Sequence, residues 1–456
     1  MGEHRRAVAA VALGRWTEPE EVLAEGRRLR SAVPHEVHRR TALAADRPSV
    51  VEYVEASNEG RLPHLVPLRV GRMLASPFAF FRGSAALMAG DLAAGPRSGL
   101  DAQLCGDAHA ANFGLYGTPD GQIVMDINDF DETLPGPWEW DLKRLVTSLV
   151  LAGREGGVSD KGCRDAAGDA VRAYRDAARH LAEIPFLESW SALGDESVLS
   201  KAKADDLTDE FSKAASKARK NTSAKVAAKW TRREGGHWRF VADPPVLTRI
   251  PEDEARTVID ALPSYVDTLR ESRYDLIMRY GVSDVAFRVV GTGSVGLRNY
   301  LVLLHGNGDE ALILQVKEAR PSALAPFLDV PAGKHEGKRI VHGARLVQAE
   351  TDILLGWTTI GDRHFIVRQF RNRKGEIDAT RLKRDALDDY GRFAGALLAR
   401  AHSRSLDPRL LAGYCAGDGL DDAFTRYAVD YADQTAADHE RLAKAVKAGR
   451  LTAHVE

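Results

Sequence analysis

The sequence predicts an α+β fold in two lobes, with extra helices at its N- and C-terminal ends. Three observations carry that prediction. Helical periodicity fills both ends and much of the middle of the chain. Five strand-like runs cluster at 281–372. A small strand-and-loop unit, crowded with Asp, Asn and Gly, stands well upstream of them at 101–150. The division that follows is an N-terminal helical region at 1–100 and a polar-loop part of a helical large lobe at 101–280. A five-strand small lobe follows at 281–372, and C-terminal helices at 373–456 complete the large lobe.

Composition bounds the class. The chain has 456 residues, 44% hydrophobic and 28% charged, which is globular rather than disordered and enough for two or three domains. Lys and Arg total 63 against 65 Asp and Glu, for a net charge of −2, so neither a globally basic nucleic-acid coat nor an acidic tail is present. Cys105, Cys163 and Cys415 are scattered, which excludes a disulfide framework and a Cys-based zinc knuckle and suits a reducing cytoplasm. No apolar run reaches the roughly 18 residues of a membrane span. At the start, AVAAVAL follows two arginines but is interrupted at Arg15, which reads as a short helix rather than a signal peptide.

In chain order, 20–30 and the segment beginning at Ser49 have amphipathic helical spacing. The stretch 62–95 is more apolar and holds Phe78, Phe80 and Phe81, as a packed helix pair does. QLC and QIVMDI are short strands, followed by a helix over about 141–153. Residues 160–230 are helical again; their Lys-rich part interleaves acids with bases, which marks a solvated face rather than a nucleic-acid patch. Residues 235–250 form a short hairpin and a Pro-Pro connection. DVAFRVVG, RNYLVLLHG and ALILQVKEA are strands, and a helix follows at about 337–349. LLGWTTI and HFIVRQF complete the strand block, and helices cover 385–403 and 421–448. No internal repeat interrupts this order.

The densest polar constellation is CGDAHAANFG, 105–114, followed by VMDINDFDETLPGPWEWDLKRL, 124–145. Carboxylates in loops beside short strands suit a divalent cation with oxygen ligands. Turn chemistry explains any single Asp of the set, but less readily the ordered whole. Asn112 lies five residues after Asp107, and Asp129 follows a second strand. That order resembles protein-kinase-like phosphotransferases, and most closely their aminoglycoside and choline kinase branch. The matching pieces are Gly106 to Asn112, Asn128 to Phe130 and, twelve residues beyond Asp129, Asp141 to Lys143. The resemblance implies Asp107 as the group that takes the acceptor's hydroxyl proton. It implies Asn112 and Asp129 as Mg2+ ligands, with Asp131 an accessory carboxylate. The chain departs from the pattern at Cys105, where the family usually has His.

A second constellation, VVGTGSVG at 289–296, contains G-x-G-x-x-G between two strands. A Rossmann unit needs a helix after it, whereas a strand–glycine loop–strand resembles the nucleotide flap of kinases. Gly291, Gly293, Ser294 and Gly296 then cover the phosphates, and Lys317, ending ILQVK, contacts them. Glu336 and Glu350 both stand near the ends of the following helix as the carboxylate that would pair with Lys317. The chain also resembles the uncharacterised bacterial family DUF2252, from about Leu65 to the C-terminal helices. SPFAFFRG, CGDAHAANFG, DINDFDETLPGPWEWDLKRL and GARLVQAETDILLGW carry that likeness.

No G-x-S-x-G, H-E-x-x-H, C-x-x-C or Walker A string occurs. The expected function is ATP- and Mg2+-dependent phosphoryl transfer to a hydroxyl of a small molecule on a two-lobed kinase-like fold, with no nucleic-acid or membrane partner. A nucleotide-binding pseudokinase and a nucleotidyl (AMP) transferase on the same fold stand as alternatives. In ordinary kinase-like chains the flap and Lys precede the Asp–Asn loop; here they follow it, which implies circular permutation. RFAGALLARAHSRS, 392–405, resembles the helix that leads into the catalytic loop. The permuted ends should therefore meet near residues 100 and 405, and Lys317 should face Asp129 across one cleft.

Overall fold

The chain folds into helices where its periodicity demands them; the computed structural model describes residues 16–191, 204–289, 291, 293–331 and 333–454. The short helix expected before Arg15, part of the helical run 160–230 (residues 192–203), and Val290 and Thr292 of the glycine run lie outside the described residues. Ser49 opens α1 (Val50–Asn58) with a capping box, its hydroxyl accepting from the Glu52 amide while the Glu52 carboxylate accepts from the Ser49 amide. Beyond α2 (Val66–Leu74), Ser76 caps α3 (Pro77–Phe81), which begins on a proline already suited to the first turn. Phe78, Phe80 and Phe81 are buried, as a packed helix pair requires. Val54, Met73 and Phe80 share one cluster with Leu442, so these helices rest against the far end of the chain.

The polar unit follows. Strand β1 (Asp101–Gln103) pairs antiparallel with β4 (Pro135–Pro137), and β2 (Phe113–Gly117) and β3 (Ile123–Ile127) form a hairpin between them. Helix α4 (Trp138–Glu155) is buried over most of its length against α5 (Asp160–Glu183). Trp138 stacks between Tyr174 and Phe424, at ring separations of 5.3 and 5.8 Å. That stack anchors the large helical core.

Hairpin β5 (Thr231–Glu234) and β6 (His237–Phe240) leads through the Pro-Pro connection to β7 (Leu247–Arg249). The sheet then continues with β8 (Gly281–Arg288), β9 (Asn299–His305), β10 (Ala311–Ala319), α6 (Glu336–Val347), β11 (Gly356–Ile360) and β12 (Arg363–Gln369). Its order is β11-β12-β10-β9-β8-β7, with every neighbouring pair antiparallel. The expected block of five strands is thus a sheet of six. The extra strand β7 is a three-residue edge strand, too short to show alternation in the sequence. Val258, Tyr265 and Ile277 cover one face together with Val302, Leu314 and Val367, and Ala227 and Phe240 cover the other with Leu301 and Ile313. Burial on both faces explains why β9 and β10 read as continuous apolar runs. Alternation along β10 puts Lys317 on the Ile313 face, paired across the ladder with Asn299 and Ile366.

After β12 the chain crosses to the polar unit, where β13 (Gly375–Glu376) adds to β2. Helix α7 (Arg384–Ser403) packs along α5, and α8 (Leu420–Lys447) closes the helical core. Just past α7, the Ser405 hydroxyl accepts from the Gln103 amide at 2.7 Å, so the segments near residues 100 and 405 do meet. The architecture is α+β. Among the described residues no helix is long and apolar enough to cross a membrane, and all three cysteines are free and buried.

Candidate functional site

The polar loop after β1 is held from behind. Asp141, in the first turn of α4, accepts from the amides of Cys105 and Gly106 at 2.8 and 3.0 Å. His402 of α7 reaches the same carboxylate at 3.4 Å, and its other ring nitrogen meets the Tyr174 hydroxyl at 2.7 Å. An imidazole therefore supports this loop although residue 105 is Cys. Burial pushes the Cys105 thiol well above its ordinary range, so it stays protonated and serves packing. Gly106 makes the turn possible. Its φ is +83°, and an added Cβ would lie 2.3 Å from the carbonyl oxygen of Glu132. Gly106→Ala should cost at least about 2 kcal/mol, from the left-handed backbone and the clash together. Urea unfolding of the variant measures this; a change below about 0.5 kcal/mol would mean that the loop is not so constrained.

The turn presents Asp107 to a cavity of about 490 Å3. Arg144, one helical turn along α4 from Asp141, donates its Nε to the Asp107 carboxylate and its Nη2 to the Phe81 carbonyl at 2.8 Å. Burial raises the Asp107 carboxyl above its usual range against the opposing charge of Arg144. His109 stands 3.6 Å from the same carboxylate, but burial and the charges of Arg144 and Arg82 hold the imidazole neutral. Asn112 donates to the Asp107 carbonyl at 2.7 Å, and its own carbonyl accepts from the Asn128 amide at 3.0 Å. The two loops are thereby locked in register.

Asp129 and Asp131 follow at once. An Asp129 oxygen accepts from the Asp131 amide at 3.2 Å, which turns the chain so that both carboxylates meet Lys317. Lys317 Nζ lies 2.5 Å from Asp131 and 3.8 Å from Asp129. Burial works to raise Asp129, but the charges of Lys317 and Arg368 hold it below the usual carboxylate range. Burial and the adjacent Asp129 charge push Asp131 the other way. For Lys317, burial is outweighed by the two carboxylates and its ammonium is held above the ordinary range. The neighbouring Glu132 is pushed up to about 7, mainly by burial.

Neither expected helix carboxylate meets Lys317. Glu336 pairs with Arg339 at 2.6 Å, and Glu350 offers its carbonyl to the Tyr116 hydroxyl. Arg339 instead staples α6 to the site, donating to the carbonyls of Thr133, Asp131 and Arg320 at 2.8 to 2.9 Å. The carboxylate closest to Lys317 comes from the Asp129–Asp131 turn itself.

Gly291, Gly293 and Ser294 line the same cavity as Asp107, Asn112, Asp129 and Asp131. Gly296, with φ of +86°, ends the run where a Cβ would come within 3.0 Å of the Arg61 side chain. The N-terminal helices hold this run. Arg61 donates to the carbonyls of Gly293 and Val295 at 2.7 and 2.6 Å, Arg72 donates to that of Gly291, and the Leu62 amide donates to that of Gly296 at 2.8 Å. The structure thus brings all the expected site residues to one region. What the sequence did not single out is the set of arginines around them: Arg61, Arg69, Arg82, Arg144 and Arg320. Arg82, within SPFAFFRG, and Arg144, within DLKRL, lay in the segments that carried a family resemblance.

The family model described as an uncharacterized protein conserved in bacteria (DUF2252) matches residues 61–445. The chain belongs to that family. No curated protein and no solved structure matches it.

Proposed function

We propose that this DUF2252 protein transfers the terminal phosphoryl group of ATP, with Mg2+, to a hydroxyl of a small molecule, on a circularly permuted protein-kinase-like pair of lobes. The observation that carries this reading is the meeting of Lys317 with Asp129 and Asp131 beside a single cavity that Asp107, Asn112 and the glycine run also line. Element order supports it. Strand, glycine run, strand, Lys strand, helix and two strands is the order of a kinase-like small lobe. The Gln103–Ser405 hydrogen bond lies where permuted ends would join.

Asn112 and Asp129 would hold Mg2+, with Asp131 accessory. Among the described residues no three His, Cys, Asp or Glu side chains converge as a cage. That suits an ion which usually takes one or two protein carboxylates and completes its shell with phosphates and water. When bound, Mg2+ neutralises charge on the β- and γ-phosphates. Lys317 supports the α- and β-phosphates. Asp107 takes the acceptor's hydroxyl proton as the oxygen bonds to the γ-phosphorus; the bond from that phosphorus to the β,γ-bridging oxygen breaks, and ADP keeps the electron pair.

Asp129→Asn should keep the melting temperature and lose the Mg2+-dependent part of ATP affinity. Titration calorimetry with and without Mg2+ reads this, and equal affinity in variant and parent would remove Asp129 from the site. One observation favours a second reading. Arg144 neutralises Asp107 in place, as a nucleotide-binding pseudokinase could tolerate. Mass spectrometry of acceptors incubated with Mg·ATP separates the cases. A phosphoryl adduct supports phosphotransfer, an AMP adduct supports nucleotidyl transfer on the same fold, and tight ATP binding with neither supports the pseudokinase.

A further inference from the structure

The cavity beside Asp107 has a wall that phosphoryl donation alone does not require. Arg61, Arg69, Arg82 and Arg320 all line it, and none of the four makes an ion pair with a carboxylate among the described residues. The cavity's acids are engaged elsewhere: Asp107 by Arg144, Asp129 and Asp131 by Lys317, and Glu318 by Arg298 and Arg363. Glu132, the remaining one, is raised to about 7 and accepts from the Ala323 amide. Arg61, Arg69 and Arg320 stand close enough to repel one another, whereas Arg82 lies toward Asp107 and His109. Burial and the charges of Arg69 and Arg320 depress Arg61.

Two of the four have structural tasks. Arg61 holds the glycine run, and Arg69 donates to Ser57, Asn58 and the Gly83 carbonyl. The other two do not: the guanidinium groups of Arg82 and Arg320 have no hydrogen-bond partner among the described residues, and Arg82 Nε is buried besides. Arg69, only 2% exposed, also keeps a buried Nε without a partner. The guanidinium donors of Arg82 and Arg320, which no group among the described residues takes, are left for a ligand of the cavity. A guanidinium fork fits the oxygens of a phosphate or carboxylate.

The glycine run borders the same cavity as this wall. The carbonyls of Gly293 and Val295 point at Arg61. A trans peptide directs its N–H opposite to its C=O, so the Ser294 and Gly296 amides point away from the arginines.

We propose that Arg61, Arg69, Arg82 and Arg320 bind an oxyanion carried by the acceptor, so that the molecule offering its hydroxyl to Asp107 is a phosphorylated or carboxylated small alcohol. The word acceptor rests on the phosphotransfer reading; the anion site does not. A cationic acceptor such as choline meets repulsion here.

The test is titration calorimetry on the full chain, with Mg2+ and a non-hydrolysable ATP analogue saturating, using glycerol 3-phosphate, glycerate and glycerol as probes. Either anion should bind far more tightly than glycerol, and the stronger of the two tells phosphate from carboxylate. Arg82→Gln and Arg320→Gln, which break no internal hydrogen bond, should each weaken the anion by about 10- to 100-fold. Affinity for the analogue should stay within about twofold. Anions that bind no better than glycerol, or that the analogue displaces, overturn the proposal; displacement would assign the arginines to the nucleotide's own phosphates. If the analogue does not bind while glycerol 3-phosphate still does through Arg82 and Arg320, the phosphotransfer reading falls and the anion site stands.

Discussion

Asp107→Asn is expected to lower turnover by about 10²- to 10⁴-fold while leaving Mg·ATP affinity within about threefold. The asparagine keeps an oxygen for Arg144, whose side chain is only 4% exposed and would otherwise be left charged and unpaired beside Phe81. The fold should thus survive while the proposed proton acceptor is lost. Single-turnover assays read the chemistry and calorimetry reads the nucleotide. A large fall in ATP affinity without unfolding would show that Asp107 contacts the nucleotide, and the roles of the two loops would have to be exchanged.

The largest loss of stability is expected from Arg400→Met. Arg400 on α7 donates to Asp126 at 2.6 Å, with the two side chains 6% and 1% exposed. Asp126 also accepts from the Ala349 amide at 3.2 Å, so the pair ties β3, α7 and the segment after α6 together. Removing the guanidinium leaves a buried carboxylate that only the more distant charge of Arg404 offsets, and should cost about 3–5 kcal/mol. Urea unfolding measures it. Asp126→Asn in the same background should recover part of the loss, because the stranded charge and not the missing contact is the main penalty. A single-variant effect below about 1 kcal/mol would mean that water or another cation replaces Arg400.

Much of the fold was legible because its signals are local. ALILQVKEA is a strand by its β-branched and apolar content, and its alternation alone sets which way Lys317 points. Helices α4, α7 and α8 fall within three residues of where periodicity places them, and Ser76-Pro77 marks the start of α3 by its cap. Strand β7 escaped notice because three residues carry no period, and only the neighbouring β8 makes them a strand. The candidate site divides the same way. Asp107, Asn112 and Asp129 stand out through spacing within one stretch of chain. The pairing of Lys317 with Asp131 instead of a carboxylate on α6, the hold of Arg144 on Asp107 and the arginine wall are contacts between distant segments. Helix periodicity on α6 offers Glu336 a place facing the site, but Arg339, one turn on, takes it first.

The four hydrogen bonds from Arg61, Leu62 and Arg72 to the glycine run have a kinetic meaning. The sheet and the polar unit are joined along one edge by the crossing after β12 and by Arg339 and Gln348 of the α6 segment, like a book on its spine. A second attachment, on the opposite edge, turns the book into a box. Large-amplitude opening then requires those bonds to break together. While the clasp holds, the way into the cavity is its own mouth rather than a parting of the halves, and breaking the clasp with Arg61→Ala should speed ligand exchange.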